Sequence, residues 1–350
     1  MSDAVWGWVD ATRRELAEAG HDRLAEAMDE LPRRIGRPEE FDAAYPEAIA
    51  AARALNLPWV EVFLRHWRLQ SLVIKRQHGA KALPDVVELL EFAHREETKD
   101  CPQSVCAVQD FTVCHAIVDG PGYVPERLAV LDETLAVLEP SRGCFDCLNR
   151  EYSSALEDDG RLEDALAHLV AAEGKRRAAG GRPSLDTGTR RARLIGQLGR
   201  PREGLELLAR LESEHRDEFG LDEEDVRDIA LLRADLYTRL GDAEAASAHL
   251  WDIELLADNP ADRLYWAEIA ERLIALGGHD NTAELGAAIS SWAAYLESTG
   301  ANRACFDMLL IGGRLAVARG ARTVACVLGE LAAAAFETLR KRDDATAAAL

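Results

Sequence analysis

The chain has 350 residues, with 41 Lys and Arg against 62 Asp and Glu and a formal net charge of −21; most of such a surface repels a polyphosphate, so nucleic acid is excluded as the expected partner. Ala, Leu, Glu and Arg dominate, alternating β-branched runs are lacking and no linker rich in Gly, Pro and Ser divides the chain, so one almost wholly helical body is expected. No apolar run approaches the roughly 20 residues that span a bilayer, the start lacks a secretion pattern, and seven cysteines in so long a chain argue against a disulfide scaffold; the expectation is a cytoplasmic protein that does not enter a membrane.

The first part reads as a helix over about Asp3–Ala19, a break at Gly20 and His21, and a second helix to about Arg34. After Gly36-Arg37-Pro38 a third helix runs from Phe41 to Leu55 and stops before Pro58, because a helical conformation is disfavoured just ahead of proline. The irregular spacing here suits a terminal helical cap over residues 1–58. From Trp59 onward glycines fall at Gly79, Gly120, Gly160, Gly199, Gly241, Gly277 and Gly320, separated by 41, 40, 39, 42, 36 and 43 residues. Each follows one helical stretch and precedes another, as a left-handed terminator between antiparallel helices does. About seven helical hairpins are therefore expected over residues 59–341, with 342–350 as a flexible tail.

The clearest hairpin is Ser153–Lys175, where Ala165, Leu169 and Ala172 share one face after the Gly160 turn. A hairpin of this kind cannot bury its apolar face alone and needs neighbours built like itself. Five residues past the turns stand Ala165, Gly204, Ala246 and Ala325; seven before them stand Ser153, Ala192, Ala234, Ala270 and Gly313, all small, and Trp266 is a large plug ahead of Gly277. These features resemble tetratricopeptide repeats, most clearly from about Cys144 to Asn259 and more weakly over Trp59 to Arg340. The resemblance implies an all-α, right-handed superhelical solenoid whose first helices line a concave groove that binds a protein or peptide. The period of about 40 exceeds the 34 typical of that family, and HEAT-like repeats share a similar period, so longer helices and a less regular superhelix are expected.

Positions ten and six residues before the turns are expected to face the groove. They include Asp110, Arg150, Ser154, Thr189, Arg193, Asp235, Glu271 and Arg314, with Arg190 beside them. Arg150, Arg190 and Arg193 form a basic stretch whose guanidinium groups suit a carboxylate of an extended partner segment; the alternative is that they pair within the chain, with Glu157 or Asp186.

Cys101 and Cys106, then Cys144 and Cys147, stand just ahead of or at the start of two neighbouring first helices. Their spacing suits either a four-sulfur zinc site or a redox-sensitive pair, with His115 as an alternative ligand, against the plain reading that they are small core residues. Cys305 and Cys326 are expected to be packing residues. Trp6 and Trp8 are expected in the core or docked on a second copy of the chain. No phosphate loop, H-E-x-x-H or G-x-S-x-G motif is present, and the glycine pairs have no strand before them. The function expected is a protein-binding module without catalysis; the competing class is a zinc- or thiol-dependent sensor.

Overall fold

A computed structural model describes residues 4–182, 184–218, 220–250, 252, 260–278 and 282–341; the segment 342–350, expected to be a tail, lies outside the described residues. Among the described residues there is no strand. Two hairpins come first: α1 (Ala4–Glu18) with α2 (Asp22–Arg33), and α3 (Pro38–Ala54) with α4 (Pro58–Leu69). Pro38 and Pro58 open their helices at a position where the missing N–H has no partner to lose. Val9, Met28, Leu31, Phe41 and Phe63 from these four helices share one apolar cluster. The expected cap over residues 1–58 thus shares its core with α4, which follows it.

A π-helical turn, Gln70–Lys75, ends α4, and the chain then enters α5 (Leu83–Ala93), α6 (Cys106–Asp119), a 3₁₀ turn Gly120–Tyr123 and α7 (Val124–Leu135). Hairpins follow as α8 (Cys144–Asp158) with α9 (Leu162–Ala178), and α10 (Leu185–Gln197) with α11 (Pro201–Glu218). They continue as α12 (Glu223–Leu240) with the short α13 (Ala243–Ser247), α14 (Arg263–Ala275) with α15 (Thr282–Thr299), and α16 (Asn302–Ala318) with α17 (Arg322–Phe336).

Local chemistry sets these boundaries. Ser184 caps α10 by accepting the Thr187 amide at 3.2 Å, and Asp222 and Asp225 form a reciprocal capping box on α12. Gly160, Gly199, Gly241, Gly277 and Gly320 all adopt the left-handed backbone expected of turn glycines, with φ between 68 and 79°. At Gly160 the turn closes with Arg161 N donating to Leu156 O at 2.9 Å, which satisfies a carbonyl that the helix end leaves open.

Gly79 and Gly120 do not share this role. Gly120 starts the 3₁₀ turn at φ −41°, and a Cβ there would collide with the Asp158 carboxylate. Gly79 lies backbone to backbone against Gly300. Both are glycine because of close approach rather than positive φ.

The small residues expected at helix crossings are buried where the hairpins are regular: Ser153, Ala165, Ala192, Ala234, Ala246 and Ala270 have no exposed surface. A Cβ on Gly204 would press into the Ala192 carbonyl at 2.8 Å, so α10 and α11 cross there at backbone distance. At the last hairpin the pattern relaxes, for a Cβ at Gly313 would meet nothing within 4 Å.

The arrangement of inner helices departs from an open groove. The helices α6, α8, α10, α12, α14 and α16 pack each on the next, and α16 returns to pack on α6. Backbone bonds seal the return: Gly79 N donates to Thr299 O at 3.1 Å and Ala80 N to Gly300 O at 3.0 Å. Tyr295 Oη donates to Arg76 O at 2.7 Å, and the Asp119 carboxylate accepts the amides of Arg340 and Lys341 at 2.7 and 3.1 Å. Six inner helices thus close a ring, and the surface expected to be a concave groove faces its inside.

Candidate functional site: a charged cavity inside the ring

Helices α8, α10, α12 and α14 surround a cavity of about 270 Å³. Arg150 and Glu151 line it from α8, Asp186, Thr189, Arg190 and Arg193 from α10, Asp228 and Leu231 from α12, and Tyr265 from α14, with Asp262 just before that last helix. Asp186 and Asp228 are exposed, so the cavity opens at that level. Lys75 of the π-helical turn pairs with Glu224 beside this mouth.

Of the five groove residues expected on α8 and α10, Arg150, Thr189, Arg190 and Arg193 come together here, but their partners differ. Arg150 forms an ion pair with Asp186, Arg190 binds Glu157 at 2.8 Å, and Thr189 Oγ1 donates to Asp186 O at 3.1 Å. Among the described residues Arg193 has no ion pair, and its buried Nε has no hydrogen-bond partner. Its guanidinium lies over the Tyr265 ring, 4.3 Å from the centroid, an arrangement that fixes a cation by the ring's negative face. Tyr265 Oη in turn donates to Asp235 Oδ2 at 3.1 Å.

The remaining expected positions lie outside this set. Asp235 is fully buried and is held by Tyr265, by Arg239 at 3.0 Å and by Arg272. Glu271 and Arg314 bind each other through paired contacts of 2.6 and 2.8 Å between α14 and α16. Asp110 is turned toward α4 and the π-helical turn, meeting His66 Nδ1 at 2.8 Å and Gln70 Nε2 at 2.7 Å. Ser154 is half-buried on α8.

Titration of the lining shows what kind of space this is. Burial, reinforced by Asp262, Glu224 and Asp186, pushes Asp228 up to about 7, and burial likewise raises Glu151, Asp262 and Glu268. Glu157 goes the other way: burial opposes its charge, but Arg190 and Arg193 outweigh it and hold its pKa low. Burial also opposes the Arg193 charge, and Tyr265 with Glu157, Glu268 and Asp235 keeps it protonated. Glu151 and Tyr265 are only partly covered, yet burial is the largest cause of their upward shifts. Side chains that touch solvent-sized space while surrounded by protein line an interior, where charges are weakly screened.

Sequence reasoning overlooked Asp186 and Asp228 as lining residues. They stand 13 positions before Gly199 and Gly241, one helical turn ahead of the positions ten before the turn and on the same face. Extending that register by one turn finds them.

The cysteines divide. Cys106 Sγ and Cys144 Sγ lie 2.9 Å apart at the first turns of α6 and α8, and Cys147 is one turn further along α8. Cys101 is elsewhere: its thiol faces Trp59 O at 3.9 Å inside another apolar cluster. His115 is spoken for by Phe111, whose carbonyl it meets at 2.8 Å and whose ring lies 4.1 Å away. Among the described residues no three His, Cys, Asp or Glu side chains converge as metal ligands, so Cys101, Cys106, Cys144 and Cys147 do not form the four-sulfur zinc set. Burial pushes the Cys101 and Cys147 thiols up to about 11, away from the thiolate that metal binding needs. Cys305 is buried and Cys326 is exposed on α17.

At the N-terminus Trp8 packs between Trp59 and Phe63, with ring centroids 6.1 and 6.0 Å away. Trp6 leans on Phe63 and Trp67 and keeps 43% of its surface exposed. No described helix is long and apolar enough to cross a membrane. The sequence matches no protein-family model and no curated protein.

Proposed function

We propose that the ring cavity receives a short acidic segment of a protein or peptide partner and performs no chemistry of its own. The observation that carries this reading is Arg193: among the described residues it alone of the arginines lining the cavity has neither an ion pair nor a partner for its Nε, and Tyr265 holds it in place. A fixed guanidinium fork binds a carboxylate through two parallel hydrogen bonds and loses little side-chain freedom in doing so. Arg150 adds positive charge at the mouth, where its exposed partner Asp186 is exchangeable for a ligand carboxylate. The helical-hairpin pattern, akin to tetratricopeptide repeats, supports a binding role, and the net charge of −21 weighs against nucleic acid. A cytoplasmic location accords with this role.

The supporting experiment is selection of a random peptide library on the purified protein, run in parallel on Arg193→Gln. Enrichment of acidic sequences on the wild type and its loss on the variant are expected; the same enriched sequences on both proteins would refute the reading. The thiol-dependent alternative retains one observation, the Cys106–Cys144 contact, while its zinc form retains no ligand set.

A further inference from the structure

We propose that Cys106 and Cys144 are an oxidation site, two thiols that convert to a disulfide joining α6 to α8. Their sulfurs are 2.9 Å apart, about 0.9 Å more than a disulfide bond requires, and both side chains are buried with 5% and 9% exposure. They approach from different helices, 38 residues apart in the chain, so the bond ties two neighbouring members of the inner ring together at their first turns. Arg150 follows Cys144 by less than two turns, so the bridge fixes α8, which borders the cavity, against its neighbour α6.

The reaction is a thiol–disulfide exchange with a low-molecular-weight disulfide. The Cys144 thiolate attacks one sulfur of the small disulfide, forming a mixed disulfide and releasing one small thiolate, which takes up a proton. The Cys106 thiolate then attacks the Cys144 sulfur and expels the second small thiolate, again protonated from solvent. Two protein thiols are oxidised, one small disulfide is reduced to two thiols, and no other reactant is needed. The thiol hydrogen bond between the two cysteines, together with burial, holds Cys106 well above the ordinary thiol range, so the exchange is slow at neutral pH and faster as pH rises. Cys147, on the same helix as Cys144, is the internal competitor for the bridge.

The test equilibrates the full chain in glutathione buffers from reducing to oxidising, quenches with acid, alkylates and maps the peptides by mass spectrometry. A single Cys106–Cys144 linkage is expected in oxidising buffer, with the other five of the seven cysteines alkylated, and Cys147→Ser forms the same linkage. The oxidised protein melts higher than the reduced protein by about 5 °C, because the bridge removes disorder from the unfolded chain. This rise is absent in Cys144→Ser, an isosteric change that leaves the fold readable by circular dichroism. A bridge between Cys144 and Cys147, or no bridge in fully oxidising buffer, would overturn the proposal.

Discussion

Gly79 and Gly300 meet backbone to backbone, and a Cβ on either would overlap the other's strand of chain: on Gly79 it would strike the Gly300 carbonyl, and on Gly300 it would lie 2.6 Å from Ala80 Cβ. This contact, between residues far apart in sequence, is where α16 and its neighbours return to the start of the array and turn a row of hairpins into a ring.

Gly79→Ala is expected to lower stability by about 1–3 kcal/mol, the usual cost of forcing atoms into a filled space. Gly313→Ala, in the interior of α16 with nothing within 4 Å of the added methyl, is expected to raise it by about 0.5–1 kcal/mol. Urea unfolding of both variants checks the pair; equal effects would show that the Gly79 contact does not hold the ring shut.

The Asp119 carboxylate accepts two amides just past α17 and so pins that end of the chain to the turn after α6. Removing it in Asp119→Ala leaves both amides without this acceptor, a loss of about 1–2 kcal/mol. Trypsin cleavage after Arg340 and Lys341 should accelerate by about fivefold or more, with the remaining sites unaffected. Unchanged cleavage would mean that the pin carries no weight.

Asp235 has no exposed surface and serves Tyr265, Arg239 and Arg272 together. Asp235→Ala strands two guanidinium groups and is expected to cost about 3–5 kcal/mol. Asp235→Asn keeps the acceptor oxygen and should cost less. A loss under about 1 kcal/mol for the alanine variant, read from denaturant unfolding, would contradict a structural role for this carboxylate.

Burial raises Asp228 from an ordinary 3.8 to about 7. A carboxyl whose folded pKa is raised holds its proton longer in the folded state than in the unfolded one. Its contribution is therefore fully present below about pH 4 and is lost as pH rises toward 7. Asp228→Asn removes that loss, so the melting temperature of the variant should exceed that of the wild type by about 1–2 °C at pH 8, a modest gain because the side chain is exposed at the mouth. Near pH 4 the two should coincide. A gain of equal size at both pH values would exclude titration of Asp228 as its source.

Helix content and the regular turns were legible because left-handed glycines and small crossing residues act locally: Gly160, Gly199 and Gly241 can be read one hairpin at a time. Gly180, Gly220 and Gly300 also adopt positive φ, and their half-period spacing between the turn glycines was open to the same reading. Ring closure was not legible, since it rests on Gly79 meeting Gly300 and on Asp119 meeting Arg340, contacts that no local period encodes. The groove register located Arg150, Thr189, Arg190 and Arg193 on one cavity wall. The alternative that these arginines pair within the chain holds for two of them, since Asp186 takes Arg150 and Glu157 takes Arg190; which arginine keeps no such partner among the described residues depends on which helices become neighbours. For the cysteines, the distance from the turn glycine matches Cys106 with Cys147, but the thiols that meet are Cys106 and Cys144, one turn earlier on α8, whereas Cys101 precedes its helix and faces Trp59.

The most direct measurement is the affinity of a library-selected acidic peptide for the wild type and for Arg193→Gln, by fluorescence anisotropy at fixed salt. The expected result is a Kd at least about tenfold weaker in the variant, equivalent to about 1.4 kcal/mol, with circular dichroism and melting unchanged. Equal affinity in the two proteins would contradict recognition inside the ring.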